Sequence, residues 1–138
     1  MQFFELKHYI SYLLRAKDEY SLHSPFVFAF YNALIKRKKQ PKGFKKQQII
    51  CQTQISLPSY KLIQSNEEYT IKDIADKIKN PYNIIIIDNQ YKTQNDYLKF
   101  QDLKALPYEF ISLDFFSFVL IISNPKILKK QHYLLKKK

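Results

Sequence analysis

The chain has 138 residues, 46% of them hydrophobic and 16% aromatic, with a formal charge of +11. That length suits one globular domain, and the aromatic content excludes a collagen-like or fully disordered chain. A single cysteine, Cys51, cannot close an internal disulfide or make a cysteine-based zinc site, and no apolar run approaches the ~18 residues of a membrane span. No basic segment precedes an apolar core at the N-terminus, so a secretory signal is not expected and a cytoplasmic location is the default.

Residues 2–16 read as a helix, with Phe3, Leu6, Tyr9, Ile10, Leu13 and Leu14 recurring at steps of three and four on one face. A second helix over 24–37 starts sharply. Ser24 can cap an orphan amide, and Pro25 at the first helical position loses no hydrogen bond. His23 is placed to hydrogen-bond the turn between the two, so His23, Ser24 and Pro25 form a structural motif holding a helical hairpin. Phe26, Phe28 and Phe30 give this arm more apolar surface than one face can bury, which points to docking on the sheet or on another copy of the chain.

The stretch Lys36–Lys46 has seven basic residues in eleven, interrupted by Pro41 and Gly43. Residues 47–57 read as a strand of imperfect alternation, ended by Pro58. Thr70 caps a short helix over 71–79, with Ile71, Ile74, Ala75 and Ile78 facing inwards. Four consecutive isoleucines in 82–88 fit a strand buried on both faces, as in the middle of a parallel sheet. Thr93 caps a helix at about 93–105. Residues 108–114 and 117–123 look like a hairpin, and 131–135 a short edge strand. Strand, helix and strand in succession make the fold class α/β.

Composition narrows the chemistry. Gly43 is the only glycine, and phosphate-cradling loops and dinucleotide fingerprints need several, so neither can be built here. The histidines at 8, 23 and 132 offer no spaced metal cluster, and no metal or cofactor is expected. Residues 1–66 carry eleven basic and three acidic groups, 67–114 six and nine, and 115–138 six and none. Two basic ends therefore flank a mildly acidic centre, which could fold back on the basic stretch and neutralise it.

His23-Ser24-Pro25-Phe26-Val27-Phe28, behind an amphipathic helix, resembles the opening of a family of bacterial class I S-adenosylmethionine-dependent methyltransferase-like proteins. Ile86-Ile87-Asp88 is similar to the strand end that places an acid beside the substrate in that class. Ser112–Ile122, with His132 and Tyr133 behind it, is similar to the family's closing hairpin and tail. The resemblance implies one domain over 1–138: a helical arm (1–40), a basic linker (41–46) and a reduced Rossmann-like core (47–138) closed by an antiparallel hairpin. Departures are as clear. The chain is shorter than the family, has no glycine-rich cofactor loop, and reads Asp88-Asn89-Gln90-Tyr91 where the family often has Asp-Gly-x-His.

Two function classes follow. The first is a non-catalytic binding module whose Lys36, Arg37, Lys38, Lys39, Lys42, Lys45 and Lys46 take phosphates of nucleic acid or the carboxylates of an acidic protein. The second is a methyltransferase using S-adenosylmethionine, its site completed by oligomerisation through the helical arm or by a partner subunit. Asp88 is the one catalytic candidate, because ligand crevices in open α/β sheets lie at strand carboxyl ends. Asp114 reads as a hairpin-turn residue.

Overall fold

The computed structural model describes residues 3–16, 46–65, 68–80, 82–123 and 130–135 of the chain. Among them run helix α1 (Phe3–Arg15), helix α2 (Lys46–Ser56), strand β1 (Lys61–Gln64), helix α3 (Ile71–Lys79), strand β2 (Asn83–Asp88) and helix α4 (Gln94–Lys104). Strands β3 (Ile111–Asp114), β4 (Phe118–Ser123) and β5 (Gln131–Leu134) follow. The fold is α/β with an N-terminal helix, as the sequence predicts. The expected helix over 24–37, with His23, Ser24 and Pro25 at its start, lies outside the described residues.

The five strands form one open sheet in the order β1-β2-β4-β3-β5. β1 is parallel to β2, and β3 is parallel to β5. β4 runs antiparallel to both β2 and β3. The purely parallel setting expected for the isoleucine run is therefore corrected: β2 has one parallel and one antiparallel neighbour. The cause is the hairpin, whose three-residue turn sends β4 back along β3, where its other edge takes β2.

Alternation along the strands fills both faces. Ile84, Ile86, Leu113, Leu120 and Ile122 pack with Ile49 of α2 on one side. Ile85, Ile87, Val119 and Ile121 pack on the other with Ile74 and Ile78 of α3, Phe100 and Leu103 of α4, and Tyr12 of α1. Helices thus cover the sheet on both sides, so a strand of four isoleucines is buried whichever way each points. Each contributes about 1.5–3 kcal/mol relative to exposure.

The helix starts α3 and α4 are local and clear. The Thr70 hydroxyl accepts from the Asp73 N–H at 3.1 Å, and the Thr93 hydroxyl from the Asp96 N–H at 3.1 Å. Residues 47–57, expected as a strand, are instead helix α2. Its sequence holds no glycine or proline before Pro58, and glutamine is a good helix former. Among its described side chains, Ile49 and Thr53, one turn apart, are buried. The Thr53 hydroxyl, free to leave the helix ladder, donates back to the Ile49 carbonyl at 2.7 Å.

Helix α1 forms over the expected residues, but of the face expected to dock Tyr9 packs inwards while the aliphatic residues do not. Tyr9, Tyr12 and Ala16 pack against the core, whereas Leu6, Ile10, Leu13 and Leu14 are exposed. Ring contacts decide the docking. Tyr9 and Tyr12 lie 5.0 and 5.5 Å from Phe116, and His8 lies 4.4 Å from Tyr97 and stacks on Tyr91 at 5.3 Å. Such pairs add about 0.5–1.5 kcal/mol each beyond their area, which an aliphatic stripe cannot match.

Candidate functional site

The carboxyl ends of β2 and β3 lie at the same end of the sheet, with the start of β4 between them: Asp88 pairs with Phe118, and Asp114 with Val119. This is the end where an open α/β sheet forms its crevice. The loop from β2 to α4 crosses it. Asn89 there takes φ 58, a left-handed conformation that glycine enters freely and asparagine tolerates among the other residues. Asp88-Asn89 thus keeps the backbone turn that a glycine would make, without the glycine.

Asp88 is spoken for. The Lys46 ammonium lies 2.7 and 2.8 Å from its two carboxylate oxygens, and the Gln64 side-chain amide donates to one of them at 3.0 Å. Lys46 is the first residue of α2, not part of a linker, so the helix that replaces the expected strand is what aims this lysine. The six other basic candidates, Lys36, Arg37, Lys38, Lys39, Lys42 and Lys45, lie outside the described residues.

Asp114 is deeper. Its carboxylate accepts from the Tyr91 hydroxyl, from the Gln90 amide at 2.9 Å and from the Phe116 N–H at 2.8 Å. Burial nevertheless pushes its carboxyl above the ordinary range, against the pull of those three donors. Tyr91 is raised by burial and then by the Asp114 charge, so it stays a phenol. The hairpin turn beside it carries Phe116 at φ 71, an unfavourable conformation for a bulky residue. Its ring stacks on Tyr91 at 5.4 Å and 11°, and the Ser117 N–H donates to the Phe115 carbonyl at 2.9 Å. Ring packing holds the strained turn in place.

A cleft of about 200 Å³ opens beside Asp88, lined by Tyr69, Asp88, Gln90, Thr93 and Asp96. Gln90 is buried there with its carbonyl oxygen unpaired. Burial, then Asp96, pushes the Tyr69 phenol up to about 12. Among the described residues no group of three or more histidine, cysteine, aspartate or glutamate side chains could hold a metal ion. Cys51 is exposed on α2.

Chemically, this end of the sheet is closed rather than poised. One carboxylate is held in an ion pair and the other is a buried hydrogen-bond hub. Sequence reasoning located Asp88 but not its partner, 42 positions upstream. It also missed the hub, although polar Ser112 and Asp114 alternating with Ile111 and Leu113 in an otherwise apolar strand are its signal. No helix among the described residues is long and apolar enough to cross a membrane. Comparison with family models, curated proteins and solved structures returned no match.

Proposed function

We propose that this chain is a non-catalytic, methyltransferase-like module that binds an acidic partner, nucleic acid first, through the basic residues Lys36–Lys45. The observation that supports it best is the Lys46–Asp88 pair. The acid at the strand end, which a methyltransferase would turn towards its substrate, here neutralises a lysine of the basic stretch. Two further features agree. The Tyr91 hydroxyl is committed to the buried Asp114 and its ring is stacked on Phe116, and the cleft beside Asp88 is smaller than the ~300–1,000 Å³ of ordinary small-molecule sites. With one glycine in the chain and Asp88 held by Lys46, the residues do not fit S-adenosylmethionine.

Titration of a labelled single-stranded oligonucleotide over a salt series tests the reading. Four phosphate contacts give a log–log slope near −3, and each lysine reversed among Lys36–Lys45 flattens it by about 0.7–0.9. Lys46→Ala leaves the slope unchanged, because that lysine is already paired. Absence of binding at low salt, or a slope indifferent to the reversals, overturns the proposal. Calorimetric titration with S-adenosylmethionine is the companion experiment, and micromolar binding would establish the enzyme instead.

A further inference from the structure

A second cavity of about 200 Å³ lies away from Asp88, between the last turns of α1 and α4 and the strands β3 and β5. Arg15 enters it from α1, Lys104 from α4, Ser112 from β3 and His132 from β5. Elements far apart in sequence thus turn cations and hydrogen-bonding groups onto one space, with tyrosine rings for walls.

Neither cation is in an ion pair among the described residues, and the Lys104 ammonium rests over the Phe100 ring, 4.8 Å from its centroid. Among the described residues the ion pairs are Lys46–Asp88 and Lys79–Asp76, and neither Arg15 nor Lys104 belongs to one. Capping does not occupy Lys104 either. Lys130 already donates to the Lys104 carbonyl at 3.0 Å and to the Leu106 carbonyl, which satisfies the end of α4. Asp114 lines the same cavity, but it is one carboxyl against two cations, and its oxygens already accept from Tyr91, Gln90 and Phe116. The Lys104 ammonium is half-buried and held below its ordinary range by burial, partly offset by Asp114 and worsened by Arg15. A half-buried lysine facing a second cation, with no anion of its own, is a local excess of positive potential inside a walled space.

The contents of such a space follow from size and chemistry. The volume falls below that of drug-sized sites, so it holds one ring and its substituent rather than a nucleotide cofactor. His132 is neutral at pH 7, held down to about 4 by burial and then by Lys104 and Lys130. Its Nδ1 is hydrogen-bonded to the Ser112 hydroxyl, 2.6 Å away, and the pair forms a fixed polar wall. We propose that this cavity binds a small oxyanion carried on a single ring, a phosphate monoester or a carboxylate, with Arg15 and Lys104 holding the oxyanion and Tyr97 flanking the ring. The site is independent of nucleic-acid binding by Lys36–Lys45, and either can fail alone.

The test is amide chemical-shift mapping of the full chain titrated with phenyl phosphate and, separately, with benzoate. Saturable shifts at Ser112, His132 and Tyr97 with either probe support the site, and the tighter probe identifies the oxyanion. Lys104→Gln and Arg15→Gln should each weaken binding at least about tenfold, while Lys72→Gln on the exposed side of α3 changes nothing. Arg15 is exposed at a helix end, so its variant stays informative even where Lys104→Gln fails to fold. No saturable shift with either probe overturns the proposal, as does parental affinity in Arg15→Gln.

Discussion

Removing the Asp114 carboxyl strands three donors at once: the Tyr91 hydroxyl, the Gln90 amide and the Phe116 N–H. Each unpaired buried group costs about 1–3 kcal/mol, so Asp114→Ala should lower stability in urea unfolding by roughly 3 kcal/mol or more. Asp114→Asn keeps an acceptor for Gln90 and Phe116 and removes a charge that burial disfavours, so it should cost less than about 1 kcal/mol. Equal losses in the two variants would show that the carboxylate charge, not its geometry, matters. The pH dependence has two opposed parts. His132 titrates near 4 folded against 6.5 unfolded, so its contribution is present above pH 6.5 and is lost as pH falls through 4. Asp114, raised on folding, contributes below the ordinary carboxylate range and loses that contribution as pH rises. In the Asp114→Asn background the opposing carboxyl is gone, and stability should fall by about 1 kcal/mol from pH 6.5 to 4, a figure discounted for the exposed ring. Adding His132→Gln should shrink that fall, the remainder belonging to His8, which burial also holds below its ordinary range.

Helix α1 shows which parts of an element are legible in a sequence. Its existence and length follow from a 3.6-residue period, and Thr70 and Thr93 mark α3 and α4 because a cap is made by residues three apart. The docked face of α1 did not follow. Apolarity alone favours Leu6, Ile10, Leu13 and Leu14, but Leu14 is 82% exposed and Tyr12 5%. Ring partners supplied by residues 91, 97 and 116 settle it, and nothing in residues 3–15 announces them. Tyr12→Ala should therefore cost about 3 kcal/mol or more, since a buried ring is lost, along with its hydroxyl bond to the Leu135 carbonyl. Leu14→Ala should stay within about 0.5 kcal/mol. Thermal unfolding of the two variants decides between the faces. Helix α2 failed as a strand prediction for a related reason, because Gln-Gln-Ile-Ile-Cys-Gln-Thr-Gln has neither a clean alternation nor a strong helical stripe. Its aim, and hence Lys46 on Asp88, is a tertiary result. The acidic centre offered neutralisation of the basic stretch as an alternative, and Lys46–Asp88 is one such pair among the described residues.

At the scale of the molecule, the centre of the sheet belongs to β4, whose every residue is buried and whose two edges carry β2 and β3. A chain cut after Asp114 keeps the sequences of β1, β2, β3 and the four described helices, yet should remain unfolded by circular dichroism and urea titration. Restoring residues 115–138 as a separate peptide should recover the fold if the sheet is assembled around that strand.

The same arrangement sets an order of events during synthesis. When Asp88 leaves the ribosome, the isoleucine strand can pair with β1 on one edge, while the strand that must cover its other edge is still thirty residues from being made. At about 5–20 residues per second, that edge stays open for seconds. An uncharged run of four isoleucines with a free edge is a template for the wrong neighbour, including another nascent chain. The yield of folded protein therefore depends on how fast β4 arrives, and slow translation across residues 89–123 should drive the product into aggregates.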